Sequence, residues 1–392
     1  MTDLYGPMHS RARRSMRAGL SVRTLCNPGF KGQVDGIGVY TREIWKQFDA
    51  TALVEVHPVV GFGRQFATLA SNTPRGYSFP AGFGLSSMLA MAGFPFPGAR
   101  DIGERIDVYH STDYWIPDLG RVPVVATLHD AIPLSHPEWA VPRQRTIKNA
   151  FMKLAARRID HVITVSQSMV SIVAEQFRIP RERVSAIHNG VADDWFDPVP
   201  DETMRDVALR HALPPRYFLT VGTLQPRKNL GRVIAAFRSL PPALRRDCPL
   251  VVVGRLGWGV DELVPLLRAG VASGEVRWLD WVAHDDLRAA FRGARALVFP
   301  SLYEGFGMPV VEAFASGLPV LTSSTSALPE ISGGAALEVD PLSVDAIRDA
   351  MSSLATDDAL CARLSSAGVE RARDFSWRAC AEQVAATYRL VA

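Results

Sequence analysis

Within the span of residues 295–316 the sequence changes its period across one short loop. Residues 295–299 form an apolar run that ends at Pro300, which reads as a buried strand. Tyr303-Glu304-Gly305-Phe306-Gly307 follows, and Pro309 then stands where a helix would begin, a place where its missing N–H costs nothing. Val310, Val311, Phe314 and Ala315 give that helix one apolar face. A strand, a glycine loop and a helix start present unpaired N–H groups and the positive end of a helix dipole, which suits a diphosphate.

The same unit recurs along the chain. In the second half, apolar runs at 217–221, 250–253, 276–279, 295–299 and 319–322 alternate with helical stretches, and a short run at 336–339 precedes helices at 344–355 and 358–373. Asp285-Asp286 reads as the cap of the helix at 284–292. In the first half, runs at 22–25, 53–60, 106–110, 122–128, 161–165 and 184–187 do the same, with a first helix from Val39 through Phe48. Alternating strands and helices predict parallel sheets covered on both faces. Residues 195–215, rich in Asp and Pro, separate the two series. The expected fold is therefore α/β: two facing Rossmann-like domains with a cleft between them. We expect a first domain at 1–198, a second at 199–374, and a final helix at 375–392. Residues 1–19, with Arg11, Arg13, Arg14 and Arg17, read as a basic, disordered tail.

In open α/β sheets, ligands bind beyond the carboxyl ends of the strands. Three groups of residues fall there. The first is Glu304, Gly305, Phe306, Gly307, Met308, Pro309 and Glu312, with seven residues between the glutamates. By spacing alone these glutamates are either ligand-binding carboxylates or ordinary charges near a favourable dipole end. The second is Gly222-Thr223-Leu224-Gln225-Pro226-Arg227-Lys228-Asn229. Two cations ahead of a helix N-terminus oppose its dipole unless an anion is bound, which favours a diphosphate over a solvated pair. The third is His129-Asp130 at a strand end, read as a site pair or as a structural histidine. Gly36 and Gly38 belong to a glycine loop opening the first domain. Neither that loop nor Gly254-Arg255-Leu256-Gly257-Trp258-Gly259 has dinucleotide spacing, so no nicotinamide site is expected.

The stretch from Glu304 to Glu312 resembles the Glu-x7-Glu motif of the family-4 retaining glycosyltransferases. The likeness continues through Ala313-Phe314-Ala315-Ser316-Gly317-Leu318-Pro319-Val320 to Leu328-Pro329-Glu330, and His188-Asn189-Gly190-Val191 resembles the family's turn before the linker. The resemblance implies the GT-B fold, with 1–198 as the acceptor domain, 199–374 as the nucleotide-sugar donor domain and the helix at 375–392 crossing back to the first domain. It also implies transfer of a sugar from a nucleotide diphosphate sugar to a hydroxyl acceptor with retention. It implies that Arg227, Lys228 and the helix start at Gly307 bear the diphosphate. Glu304 would hold sugar hydroxyls, Glu312 the ribose hydroxyls, and His129 would lie by the sugar. Gly36 and Gly38 would lie near the donor phosphates or the acceptor. Thr223 stands where the family often has a phosphate-binding arginine, so Arg227 takes that place. The wording of 222–229 is similar to bacterial mannosyltransferases of surface polysaccharide assembly, which favours GDP-mannose over a UDP-sugar. Two rivals are weighed: a nucleotide-sugar 2-epimerase of the same fold, which the Glu304–Glu312 spacing argues against, and a binding module without chemistry, which intact Glu304, Glu312, Lys228 and His129 argue against.

No Asp-x-Asp occurs and no metal or other cofactor is expected, the nucleotide sugar being the donor substrate. A net charge of +3 is too small to argue for nucleic acid. The four cysteines are widely spaced, which suits a reducing cytoplasm. No run of about 18 apolar residues is present, so no membrane span is expected. Residues 61–100 are rich in Gly, Pro and Phe, with Phe79, Phe83, Phe94 and Phe96. They read either as a loop packed on its own domain or as a surface for a saccharide or lipid-linked acceptor. Peripheral contact with the inner membrane surface belongs to the second reading.

Overall fold

The structure, a computed structural model, describes residues 15–26, 34–62, 76–91, 94–139 and 145–392. Its core is two all-parallel sheets. The first has seven strands in the order β3-β2-β1-β4-β5-β6-β7. These are β1 Met16–Ser21, β2 Val54–Phe62, β3 Tyr77–Phe79, β4 Val108–Ser111, β5 Val124–Thr127, β6 His161–Thr164 and β7 Val184–Ala186. The second has six, β10-β9-β8-β11-β12-β13. They are β8 Phe218–Val221, β9 Leu250–Val253, β10 Val276–Leu279, β11 Ala296–Phe299, β12 Val320–Ser323 and β13 Leu337–Val339. Counted within its own domain, the second order is 3-2-1-4-5-6, the Rossmann arrangement. Leu250–Val253, Ala296–Phe299 and Val320–Ser323 are buried on both faces, which is why they read as short apolar runs.

The first strand differs from expectation. It is Met16–Ser21, and Arg23–Cys26 is a turn of 3-10 helix. Residues 16–19 therefore belong to the sheet and not to a basic tail, while residues 1–14 lie outside the described residues. Arg17 is accommodated at the strand start because Asp107 takes both its backbone N–H (2.9 Å) and its guanidinium (2.6 Å). Asp286 differs as well. The cap residue of His284–Gly293 is Ala283, with no side-chain bond, and Asp286 instead receives Arg210 and His211, each at 2.7 Å.

The C-terminal helix Trp377–Val391 lies on the first domain. The Ser376 hydroxyl accepts from Ala379 N–H and caps its start. Tyr388 on this helix is fully buried, with its hydroxyl 2.6 Å from His110 Nδ1. The chain thus crosses between the domains twice, and the crossings touch. Val191 N–H donates to Phe375 O at 3.0 Å, and Val191 pairs with Ser376 as a parallel bridge. A Cβ on Gly190 would stand 2.1 Å from Trp377 N, so only glycine fits there.

In the aromatic stretch, Phe79 and Phe96 are buried in the first-domain core, which is the self-packed reading for those two. Leu85, Met88 and Phe94 are exposed. Residues 63–75 and 92–93 of that stretch, and Gly29 and Gly32 of the opening glycine loop, lie outside the described residues. Among the described residues, no helix is long and apolar enough to cross a membrane.

Candidate active site

The carboxyl ends of β8 and β11 build the site together. After β8 the chain turns at Gly222, with φ +130°, and passes into a short turn, Pro226–Lys228. Asn229, in the left-handed region, ends that turn and pins it: its side-chain amide donates to Pro300 O (2.9 Å) and Pro341 O (2.7 Å). Leu302 N–H donates to Arg227 O at 2.7 Å. The loop after β8 is therefore laid against the loop after β11, and its two cations face Glu304. Arg227 Nη1 donates to Glu304 Oε2 and Lys228 Nζ to Glu304 Oε1, both at 2.7 Å. Arg227 also donates to Tyr303 O, and Lys228 lies over the Phe299 ring.

The helix after this loop is Met308–Ala315, with Gly307 at its N-cap and Pro309 in its first turn. Gly307 has φ +111°, and a Cβ there would sit 2.7 Å from Leu328 Cδ2. The positive φ is what calls for glycine, since the leucine methyl could shift. Phe306 is buried in the second-domain core. Glu312 lies in the helix. Burial, reinforced by Asp194 and opposed by Lys228, pushes its carboxyl up to about 7. Burial acts on Glu304 in the same direction, but Arg227 and Lys228 outweigh it and bring that carboxyl down to about 2. Lys228 is brought down to about 8 by burial, with Glu304 raising it and Arg227 lowering it.

His129 approaches from the first domain. Its ring stands edge-on to Tyr40, 4.9 Å between centroids, and burial lowers its pKa to about 4, with a bond to the Thr112 backbone opposing. Its Nε2 is buried with no hydrogen-bond partner among the described residues. Asp130 accepts from the Tyr114 hydroxyl at 2.7 Å and from Ile132 N–H, so it is committed to its own domain. Gly36 and Gly38 open the helix Gly36–Thr51, where Asp35 caps by accepting from Gly38 N–H at 2.8 Å. Tyr40, on the same first turn, is the residue that meets His129. Thr223 is exposed and lies beside Gly257, not in the Glu304 cluster.

Several further residues complete the site: Ser166 and Ser326 carry no sequence signal of their own, while Tyr303, Glu330 and His188 stand in the stretches quoted above but with no role assigned there. Tyr303 is buried among first-domain residues, against His136 at 4.7 Å and Met169 at 3.2 Å. Ser166 Oγ donates to Gly305 O at 2.8 Å. Ser326, a non-glycine at φ +63°, holds Glu304 by its backbone: Glu304 N–H donates to Ser326 Oγ at 2.8 Å, and the hydroxyl donates to Glu304 O. Glu330 reaches across to the start of the helix Gln167–Phe177, accepting from Gln167 N–H (2.7 Å) and Ser168 N–H (2.8 Å). It also meets His188 at 2.6 Å. Burial pushes Glu330 up, but His188 and the two N–H groups bring it down to about 2. The carboxylate sits at the positive end of that helix dipole.

Two parallel-sheet domains meet over paired cations, a carboxylate and a helix N-terminus, the layout of the GT-B fold. Residues 203–371 match Glycosyl transferases group 1 and residues 34–195 match Glycosyltransferase Family 4. O-antigen chain mannosyltransferase B of Escherichia coli is 32% identical over 288 residues, 72% of this chain and 74% of that protein. Glycogen synthase of Mycobacterium tuberculosis is 30% identical over 297 residues, 72% of this chain and 69% of that one. Among solved structures, sucrose-phosphate synthase of Thermosynechococcus elongatus superposes with a TM-score of 0.73 at 19% identity, covering 96% of this chain and 99% of that one. HepE of Anabaena, in complex with UDP and glucose, gives 0.72 at 18% identity, covering 96% and 100%. The chain belongs to the group 1, family 4 glycosyltransferases.

Proposed function

We propose that this glycosyltransferase moves mannose from GDP-mannose to a hydroxyl of a saccharide or lipid-linked saccharide, with retention at the anomeric carbon. The observation that carries the donor site is the meeting of Arg227, Lys228 and Glu304 beside the start of Met308–Ala315. Arg227, Lys228 and the N–H groups of that helix oppose the charge that develops on the departing diphosphate. Glu304 accepts bonds from sugar hydroxyls, and Glu312 accepts bonds from the ribose. His129 faces the sugar from the first domain with an unused ring nitrogen. The acceptor oxygen bonds to the anomeric carbon on the face that the diphosphate leaves, and its proton passes to the diphosphate oxygen. Two cations carry the neutralisation, so no metal is needed at this step.

Support for mannose comes from the E. coli O-antigen mannosyltransferase, at 32% identity. A UDP-sugar donor is the second reading, supported by the UDP-bound structural neighbour. A 2-epimerase is disfavoured by the Glu304–Glu312 motif. The reaction is placed in the cytoplasm, at the inner membrane surface when the acceptor is lipid-linked. Incubation with GDP-mannose or UDP-sugars and a saccharide acceptor tests this. A mannosylated product with α-anomeric retention, unaffected by EDTA, is expected. Product from UDP-sugars alone favours the second reading, and an epimerised nucleotide sugar without acceptor overturns both.

A further inference from the structure

The two cations assigned to the diphosphate are already engaged by a carboxylate of the chain itself. Each oxygen of Glu304 takes one of them, and the residue is only 6% exposed. Arg227 and Lys228 hold the Glu304 carboxyl charged in spite of its burial. A diphosphate arriving at these cations therefore meets a charge of its own sign at hydrogen-bonding distance from both. The Glu304 backbone has little freedom to retreat. Ser326 holds its N–H and its carbonyl, and Ser166 holds the next carbonyl, that of Gly305. What is left to move is the side chain.

We propose that Glu304 is a specificity-determining residue that serves as the resident counter-anion of the diphosphate site. An incoming diphosphate takes Arg227 and Lys228 away from the carboxylate. The displaced carboxylate remains in a buried place, where it is unfavourable without new hydrogen-bond donors. The hydroxyls of a donor sugar are such donors. Inorganic pyrophosphate has no hydroxyl to offer it, and the ribose hydroxyls of a spent nucleoside diphosphate are taken by Glu312 in the reading above. The exchange thus favours a complete nucleotide sugar over a bare diphosphate and helps the product leave. This inference rests on the assignment of Arg227 and Lys228 to the diphosphate made above.

Calorimetry and thermal shift with inorganic pyrophosphate and GDP test it on the full chain. Glu304→Gln removes the charge and nearly keeps the shape. It is expected to bind pyrophosphate about tenfold tighter than the unaltered protein, the order set by one charged hydrogen bond. Glu304→Asp keeps the charge and is expected to show no gain. Equal or weaker pyrophosphate binding by Glu304→Gln overturns the proposal, as does an equal gain in Glu304→Asp. A destabilised Glu304→Gln still answers, because pyrophosphate then raises its Tm by more than it raises that of the unaltered protein; a smaller rise overturns the proposal. An unaltered protein that binds neither nucleoside diphosphates nor nucleotide sugars sinks the donor-site assignment, and this inference with it.

Discussion

The backbone carbonyl of His129 lies 2.0 Å from the place a Cβ on Gly305 would occupy. One residue belongs to each domain, so this glycine sets how closely the cleft floor shuts. Gly305→Ala puts a methyl group against a carbonyl with no flexible atom to yield. The closed arrangement is expected to lose about 1–3 kcal/mol, the usual range for overpacking. A lower Tm, with a larger radius of gyration by small-angle scattering, checks it. An unchanged radius with full turnover counts against closure at this contact.

Glu312 gives a pH dependence with a defined sign. Its carboxyl is raised from 4.5 to about 7 in the folded chain. Below 4.5 both states hold the proton and nothing is gained or lost. Between 4.5 and about 7 the unfolded chain releases its proton while the folded one retains it, so stability falls as pH rises, and the loss is complete above that window. Glu312→Gln is expected to remove this part of the Tm-against-pH curve. Parallel curves for the two proteins would refute the burial argument. The same variant is expected to weaken free GDP by about 1–3 kcal/mol if the carboxylate holds the ribose.

Lys228→Ala leaves Glu304 with Arg227 alone and deprives a diphosphate of one cation. Nucleoside diphosphate affinity is expected to fall by about 1.5–3 kcal/mol, roughly ten- to a hundredfold. Calorimetry at fixed salt measures it. Unaltered affinity removes this loop from the phosphate site.

Glu330→Gln tests the clasp between the domains. The substitution keeps an oxygen for one N–H of Gln167 or Ser168 but removes the charge that faces both and His188. A loss of about 1–3 kcal/mol is expected, the range for hydrogen bonds to a charged group. Hydrogen exchange at Gln167 and Ser168 should rise selectively. Unchanged exchange there counts against the cap.

The second domain is legible because strands such as β9 and β11 are short, doubly buried and followed by glycine loops with distinct residues. Arg227 and Lys228 at a strand end read as cations awaiting an anion, and they do face one. That the anion is Glu304 was not legible, since it depends on Asn229 tying one loop to Pro300 some 71 residues away. In the first domain, the start of β1 is hidden in the sequence because Arg17 reads as tail, its partner Asp107 lying 90 residues further on. Ser326 left no trace in pattern, because its role lies in a left-handed backbone and one hydroxyl. Asp286 passed for a cap on local sequence, but Arg210 and His211, from an earlier helix, claim it.

The touching of the two crossings, Val191 against Phe375 and Ser376, has a mechanical consequence. A single linker lets two bodies swivel in any direction, but two linkers bonded side by side resist torsion between them. With Gly190 seated on Trp377, the remaining easy movement is a swing about one line, like the cover of a book on its spine. The widest travel then falls at the edge away from that line. Any such swing has to break the contacts the two domains share away from the crossings, among them the 2.6 Å bond from Trp258 of the second domain to the Trp139 carbonyl of the first.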